Sequence, residues 1–254
     1  MKITRAVVPS LFTTLNIFCG FLSILNTSQG KIEMAAWFII LAAVFDSLDG
    51  VMARITKSSS QFGVELDSLA DVISFGAAPS FMVFQAQLHM FDNWGVIISS
   101  MPLVFGAIRL ARFNIQLVGF NKDHFNGLPI PSQAVALCAF ALENYSVALG
   151  FSDWSKVALA PLVIFLSLLM VSRVKYETLP KLTTKEIVAH PWRVVSLGIG
   201  VLLIVFSKGK LLFTLLISYI LFGVLRSMVK AVRKTLLHVE KETDEETEIS
   251  SIDI

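Results

Sequence analysis

Eight stretches of this chain are apolar for about the length a helix needs to cross a bilayer, and that repetition narrows the possible folds more than any other feature. They run at about 8–27, 33–55, 64–88, 94–116, 129–149, 154–174, 191–207 and 210–231. A hydrocarbon core takes roughly 20 helical residues. Lipid offers no hydrogen bonds, so each spanning segment must satisfy its own backbone, which a helix does. The expected fold is therefore all-α, a polytopic membrane protein of about eight transmembrane helices. Composition agrees, since 55% of the 254 residues are hydrophobic and 16% charged, with a mean hydropathy of +0.72. That excludes an ordinary soluble domain. Only Ser207 to Lys210 separate the last two runs, which should form a tight hairpin.

The charges give an orientation. An even number of spans puts both termini on one side, and 17 of the 21 Lys and Arg fall on that side. The other four are Lys31, Lys156, Lys208 and Lys210. The positive-inside rule then places both termini, and the loop after Arg54, in the cytoplasm. Seven of the 19 acids sit in the last fifteen residues, so 237–254 reads as a solvated, disordered acidic tail. The first span lacks a small-residue cleavage site followed by a soluble domain, and is expected to stay as structure. Cys19 and Cys138 lie in different apolar runs without a CxxC or a nearby histidine, and read as inert packing thiols. No Walker loop or dinucleotide glycine pattern occurs, and no nucleic-acid partner is expected.

Four aspartates are concentrated in 26 residues, Asp46 to Asp71, inside largely apolar sequence. Carboxylates at membrane depth are costly and call for a partner or a task. Asp46 and Asp49 are three apart near the end of span 2, and Asp67 and Asp71 four apart near the start of span 3, so each pair shares a helix face. The stretch 55–62 lets the two helices return antiparallel and bring both acidic faces to one depth. Such a cluster cannot stay ionised unless cations neutralise it. Oxygen-only ligands favour Mg²⁺ or Mn²⁺ over Zn²⁺, and four carboxylates could hold two divalent ions, a known clamp for phosphoryl transfer. Gly50 would let a phosphate approach the helix closely, and Arg54 could grip a diphosphate with its fork. A proton relay or a cation path in a transporter would also use intramembrane acids. Transport carboxylates usually lie near the bilayer midplane, whereas these lie at helix ends beside Gly50 and Arg54.

The pattern D-x2-D-G-x2-A-R-x8-G-x3-D-x3-D, filled by Asp46, Asp49, Gly50, Ala53, Arg54, Gly63, Asp67 and Asp71, resembles the signature of the CDP-alcohol phosphotransferases. Residues 9–20, 109–114 and 125–131 further resemble its prokaryotic phosphatidylserine synthase branch, although Ser10 stands where asparagine is expected. The resemblance covers spans 1 to 6 and thins after about Tyr176. It implies a catalytic core at 1–176, two added transmembrane helices at 177–236, and a homodimer in a prokaryotic plasma membrane with its active site facing the cytoplasm. The implied reaction converts CDP-diacylglycerol and L-serine to phosphatidylserine and CMP. Asp46, Asp49 and Asp67 would bind one metal, Asp67 and Asp71 the other, and Asp71 would be the general base. Gly50, Arg54, Ser60, Thr13 and Asn16 would contact CDP-diacylglycerol.

The acceptor pocket follows from the chemistry of serine, whose carboxylate wants a cation and whose ammonium wants acceptors. Arg109, Arg112 and Asn114, at the end of span 4, are the candidates, with the Gly127 to Pro129 turn nearby. The two arginines could equally be snorkelling at a helix end, and the turn could be a plain linker. Family members that take glycerol 3-phosphate or inositol phosphate would want a denser basic pocket. Phosphatidylglycerophosphate synthase is the alternative within the enzyme class.

Overall fold

The computed structural model describes residues 7–56, 61–118, 127–172, 174, 211–227 and 229. These residues are almost wholly helical, as the apolar runs require. The order is α1 (Val7–Ser28), α2 (Ile32–Thr56), α3 (Gln61–Asp71), a π-helical segment (Val72–Ala77), α4 (Ala78–Ala86), a 3-10 turn (Leu88–Phe91), α5 (Asp92–Val118), α6 (Ile130–Asn144) and α7 (Asp153–Val171). A further apolar helix, α8, covers Leu212–Ser227. Five stretches are long and apolar enough to cross a membrane: Ser10–Ser28, Ile32–Met52, Gln61–Ala86, Leu88–Ile115 and Asp153–Val171. The chain is thus a multi-pass membrane protein.

The expected count of eight spans is not established. The run at 191–207, the hairpin at Ser207 to Lys210 and the acidic tail lie outside the described residues. The run expected at 129–149 gives a helix of 15 residues that stops at Asn144. There the chain turns back on itself: β1 (Tyr145–Ser146) pairs antiparallel with β2 (Gly150–Phe151). Gly150 takes the positive φ of 69° that this turn needs. Apolar content marked the segment as buried, but could not show where the helix ends.

Successive spans run in opposite directions, with α3, the π-helical segment and α4 making up one of them, Gln61–Ala86. After α1, Gly30 at φ 76° lets its own N–H reach Thr27 O and the Lys31 N–H reach Asn26 O, both at 2.9 Å. This left-handed cap satisfies the last carbonyls of α1 and sends α2 back along it. α2 also lies against α6, and α5 against α7. The ends of α2 and α5 and the beginnings of α1, α3 and α6 therefore meet at one end of the bundle, called here the motif end.

The third span changes winding directly after Asp71. Pro79 has no N–H to give to the carbonyl four residues back, and the Ala78 N–H reaches Ile73 O, the wider π spacing. The widened turn presses on α1. Ser74 Oγ donates to Asn16 O at 2.9 Å, and a Cβ on Gly20 would stand 2.9 Å from Ser74 Cα. Only glycine allows this approach, which sets α3, and the acids at its end, against α1.

Candidate active site

Asp46 and Asp49 stand toward the end of α2, and Asp67 and Asp71 toward the end of α3. One carboxylate oxygen from each of Asp46, Asp67 and Asp71 comes within 4.8 Å of the others. Asp49 is not in that trio. It is buried and accepts a hydrogen bond from Thr13 Oγ1 on α1, a residue expected at the nucleotide. Asp71 is 8% exposed, and its Oδ1 has no hydrogen-bond partner among the described residues.

Three carboxylates this close repel unless a cation or protons intervene. An all-oxygen donor set with an orphaned buried oxygen fits a hard divalent ion. Asp46, Asp67 and Asp71 would hold it, with Asp49 steadied by Thr13 beside them. Gly50 is exposed, and a Cβ there would meet nothing within 4 Å, so internal packing does not explain the glycine. The space in front of it is where a ligand could approach the helix. Arg54 lies on the last turn of α2, but its side chain, like all of Ser60, is outside the described residues.

Two further polar groups face Asp71. Arg109 on α5 is buried and interacts electrostatically with Asp71. Its Nε has no hydrogen-bond partner among the described residues. Asn16 on α1 is wholly buried on the side of Asp71, yet both atoms of its amide lack a hydrogen bond of normal geometry.

The two arginines expected to act together are separated by the fold. Arg109 points inward while Arg112 is exposed, because a spacing of three turns a side chain about 60° around the helix, enough here to cross from the packed face to the open one. Asn114 also has another partner: its Nδ2 donates to Ser68 Oγ at 3.0 Å, tying the end of α5 to α3 between Asp67 and Asp71. The Gly127 turn has a packing reason. Gly127 has φ 87° and lies so close to α7 that a Cβ would stand 2.1 Å from Met170 O. Its N–H donates to Val174 O at 2.8 Å. Sequence reasoning missed Ser74 and Gln133. For Gln133 the signal was available: an amide inside an otherwise apolar run.

Residues 6–176 match the CDP-alcohol phosphatidyltransferase family, and the chain belongs to it. A CDP-diacylglycerol–serine O-phosphatidyltransferase of Helicobacter pylori is 40% identical over 175 residues, covering 68% of this chain and 73% of the relative. The archaetidylserine synthase of Methanothermobacter thermautotrophicus is 38% identical over 178 residues, 69% of this chain and 72% of the relative. A Bacillus subtilis CDP-diacylglycerol–serine O-phosphatidyltransferase is 31% identical over 185 residues, 73% of this chain and 98% of the relative. Among solved structures, the Mycobacterium tuberculosis phosphatidylinositol phosphate synthase with CDP-DAG bound is similar at a TM-score of 0.50 and 25% identity. That match covers 67% of this chain and 82% of the other.

Proposed function

We propose that this protein transfers the phosphatidyl group of CDP-diacylglycerol to L-serine, giving phosphatidylserine and CMP. The observation that carries the reading is the convergence of Asp46, Asp67 and Asp71 within 4.8 Å, beside a buried Arg109. The names of the three relatives, each a synthase of a serine lipid, support the same acceptor.

The family and the acidic trio point to a divalent metal, and the oxygen-only ligands favour Mg²⁺ or Mn²⁺, two ions across Asp46, Asp49, Asp67 and Asp71. Bound there, such ions supply electrostatic hold on the diphosphate and on the charge of departing CMP. Every other part of the chemistry falls to residues of this chain. Gly50 and Arg54 receive the diphosphate, and Ser60 with the α1 residues Thr13 and Asn16 completes the nucleotide side. Asp71 takes the proton from the serine hydroxyl as that oxygen forms a bond to the lipid-bound phosphorus and the bond to CMP breaks. Arg109 receives the serine carboxylate.

Serine as the acceptor is supported by the relatives' names and suits the basic groups among the described residues. Among the described residues Arg109 is buried and interacts electrostatically with Asp71, while Arg112 is exposed. One buried guanidinium suits the carboxylate of serine. The reading also includes a core at 1–176, added helices at 177–236, a homodimer, and a plasma-membrane setting with the motif end toward the cytoplasm, as the distribution of Lys and Arg favours. The test is to supply purified protein with CDP-diacylglycerol, Mg²⁺ and isotopically labelled serine. Label in phosphatidylserine is expected; CMP release without labelled lipid would overturn the acceptor.

A further inference from the structure

Gln133, on the first turn of α6, is 0% exposed, and neither its Oε1 nor its Nε2 has a hydrogen-bond partner among the described residues. Burial of a polar amide without partners is unfavourable, so a ligand is a natural candidate for what completes it. Its place in the bundle follows from one close contact. A Cβ on Gly106 of α5 would lie 2.4 Å from Ile130 Cδ1 of α6, so these two residues mark where the helices meet. Residues three apart are displaced by about 60° around a helix, and the burial of both Arg109 and Gln133 keeps each on the packed side of its helix. Arg109 thus sits near the face of α5 that carries Gly106, and Gln133 near the face of α6 that carries Ile130.

Their depths also converge. The Cα of Arg109 lies about 4.5 Å toward the motif end from Gly106, and that of Gln133 about 4.5 Å toward the far end from Ile130. Helical side chains lean toward the N-terminus of their own helix. α5 begins at the far end and α6 at the motif end, so these two long side chains lean toward each other, to the level of the Gly106–Ile130 contact. Arg109 Nε is also buried and has no hydrogen-bond partner among the described residues, while its guanidinium interacts with Asp71.

We propose that Gln133 determines acceptor choice: its Oε1 accepts from the α-ammonium of serine, and its Nε2 donates, together with Arg109, to the α-carboxylate. With the serine hydroxyl at Asp71, the donors of Arg109 and Gln133 would meet its carboxylate and the acceptor of Gln133 its ammonium. The inference rests on the serine reading above and adds the residue that distinguishes serine from acceptors lacking an ammonium.

The test uses the full chain in detergent with Mg²⁺ and CDP-diacylglycerol, comparing wild type with Gln133→Met, which keeps length and removes both polar atoms. The KM for L-serine should rise about tenfold to a hundredfold, while that for CDP-diacylglycerol stays unchanged. L-Glycerate, which has a hydroxyl in place of the ammonium, supplies a readout that packing alone would not move. The preference of the wild type for serine over glycerate should shrink in the variant by a similar factor. Gln133→Asn keeps both groups one methylene further back and should fall between the two. A folded Gln133→Met protein with unchanged serine KM and unchanged preference overturns this inference and leaves the serine reading intact. Loss of CDP-diacylglycerol use in both variants would assign Gln133 to packing and overturn it as well. Wild-type protein that turns over with glycerol 3-phosphate and not with serine would overturn both.

Discussion

The motif end and the far end of the bundle use buried side chains in opposite ways. Around Phe140 the far end is closed on itself: that ring meets Phe151 at 5.8 Å, Trp154 at 5.9 Å and Phe213 at 5.2 Å. Tyr145 packs edge-on to Phe151 at 5.3 Å, bracing the short hairpin. At the motif end Asp71, Arg109 and Asn16 are buried with atoms that have no hydrogen-bond partner among the described residues. Other unpartnered buried atoms farther along α1 are the hydroxyls of Ser23 and Thr27, which are cheaper to leave so. One region is closed by aromatic packing, and the other has buried donors, acceptors and charges that nothing among the described residues satisfies. The aromatic end and the α1 contacts can be understood as the frame against which the open end is held.

Several substitutions should separate frame from site, and the largest effect is expected at the site. Asp71→Asn removes the base and should lower CMP release by about a hundredfold to ten-thousandfold while some CDP-lipid binding remains. Normal turnover in that variant would remove the base from Asp71. Phe140→Ala, at the far end, should cost about 3–5 kcal/mol in stability, read by denaturation in detergent, without changing acceptor preference. A changed preference would show that the two ends are not separable. Gly20→Val forces α1 away from the π-helical segment and should cost about 1–3 kcal/mol. Because that contact positions Asp71, turnover should fall more than stability alone explains; a purely structural loss would break the link between α1 and the site. The smallest change is expected for Thr13→Val, which frees Asp49. The divalent-ion concentration for half-maximal rate should rise about fivefold, the equivalent of one net hydrogen bond. An unchanged requirement would make the Thr13 contact incidental.

Much of the architecture was legible from simple periodic features. Long apolar runs gave the helices, and the three- and four-residue spacing of the acids put each pair on one face and brought three of them together in space. What stayed hidden depended on contacts between distant segments. Nothing local in Thr13 says that its hydroxyl meets Asp49, 36 residues away. Arg109 and Arg112 look equivalent in sequence, and only the packing of α5 buries one and exposes the other. The π-helical turn after Asp71 had partial local signals in Gly76 and Pro79, but its effect on α1 needed the Gly20 contact to become visible. The end of α6 at Asn144 was likewise set by the hairpin that follows it, within a run whose hydropathy alone continued to 149.

The most direct measurement is an acceptor panel: purified protein in detergent with CDP-diacylglycerol and Mg²⁺ or Mn²⁺, offered serine, glycerol 3-phosphate or inositol phosphate, with CMP release read for each. Serine-dependent release that disappears in Asp71→Asn is the predicted result. Release with glycerol 3-phosphate alone would keep the fold and contradict the acceptor, and no release with any acceptor under either metal would contradict the transferase itself and return the acids to a transport role.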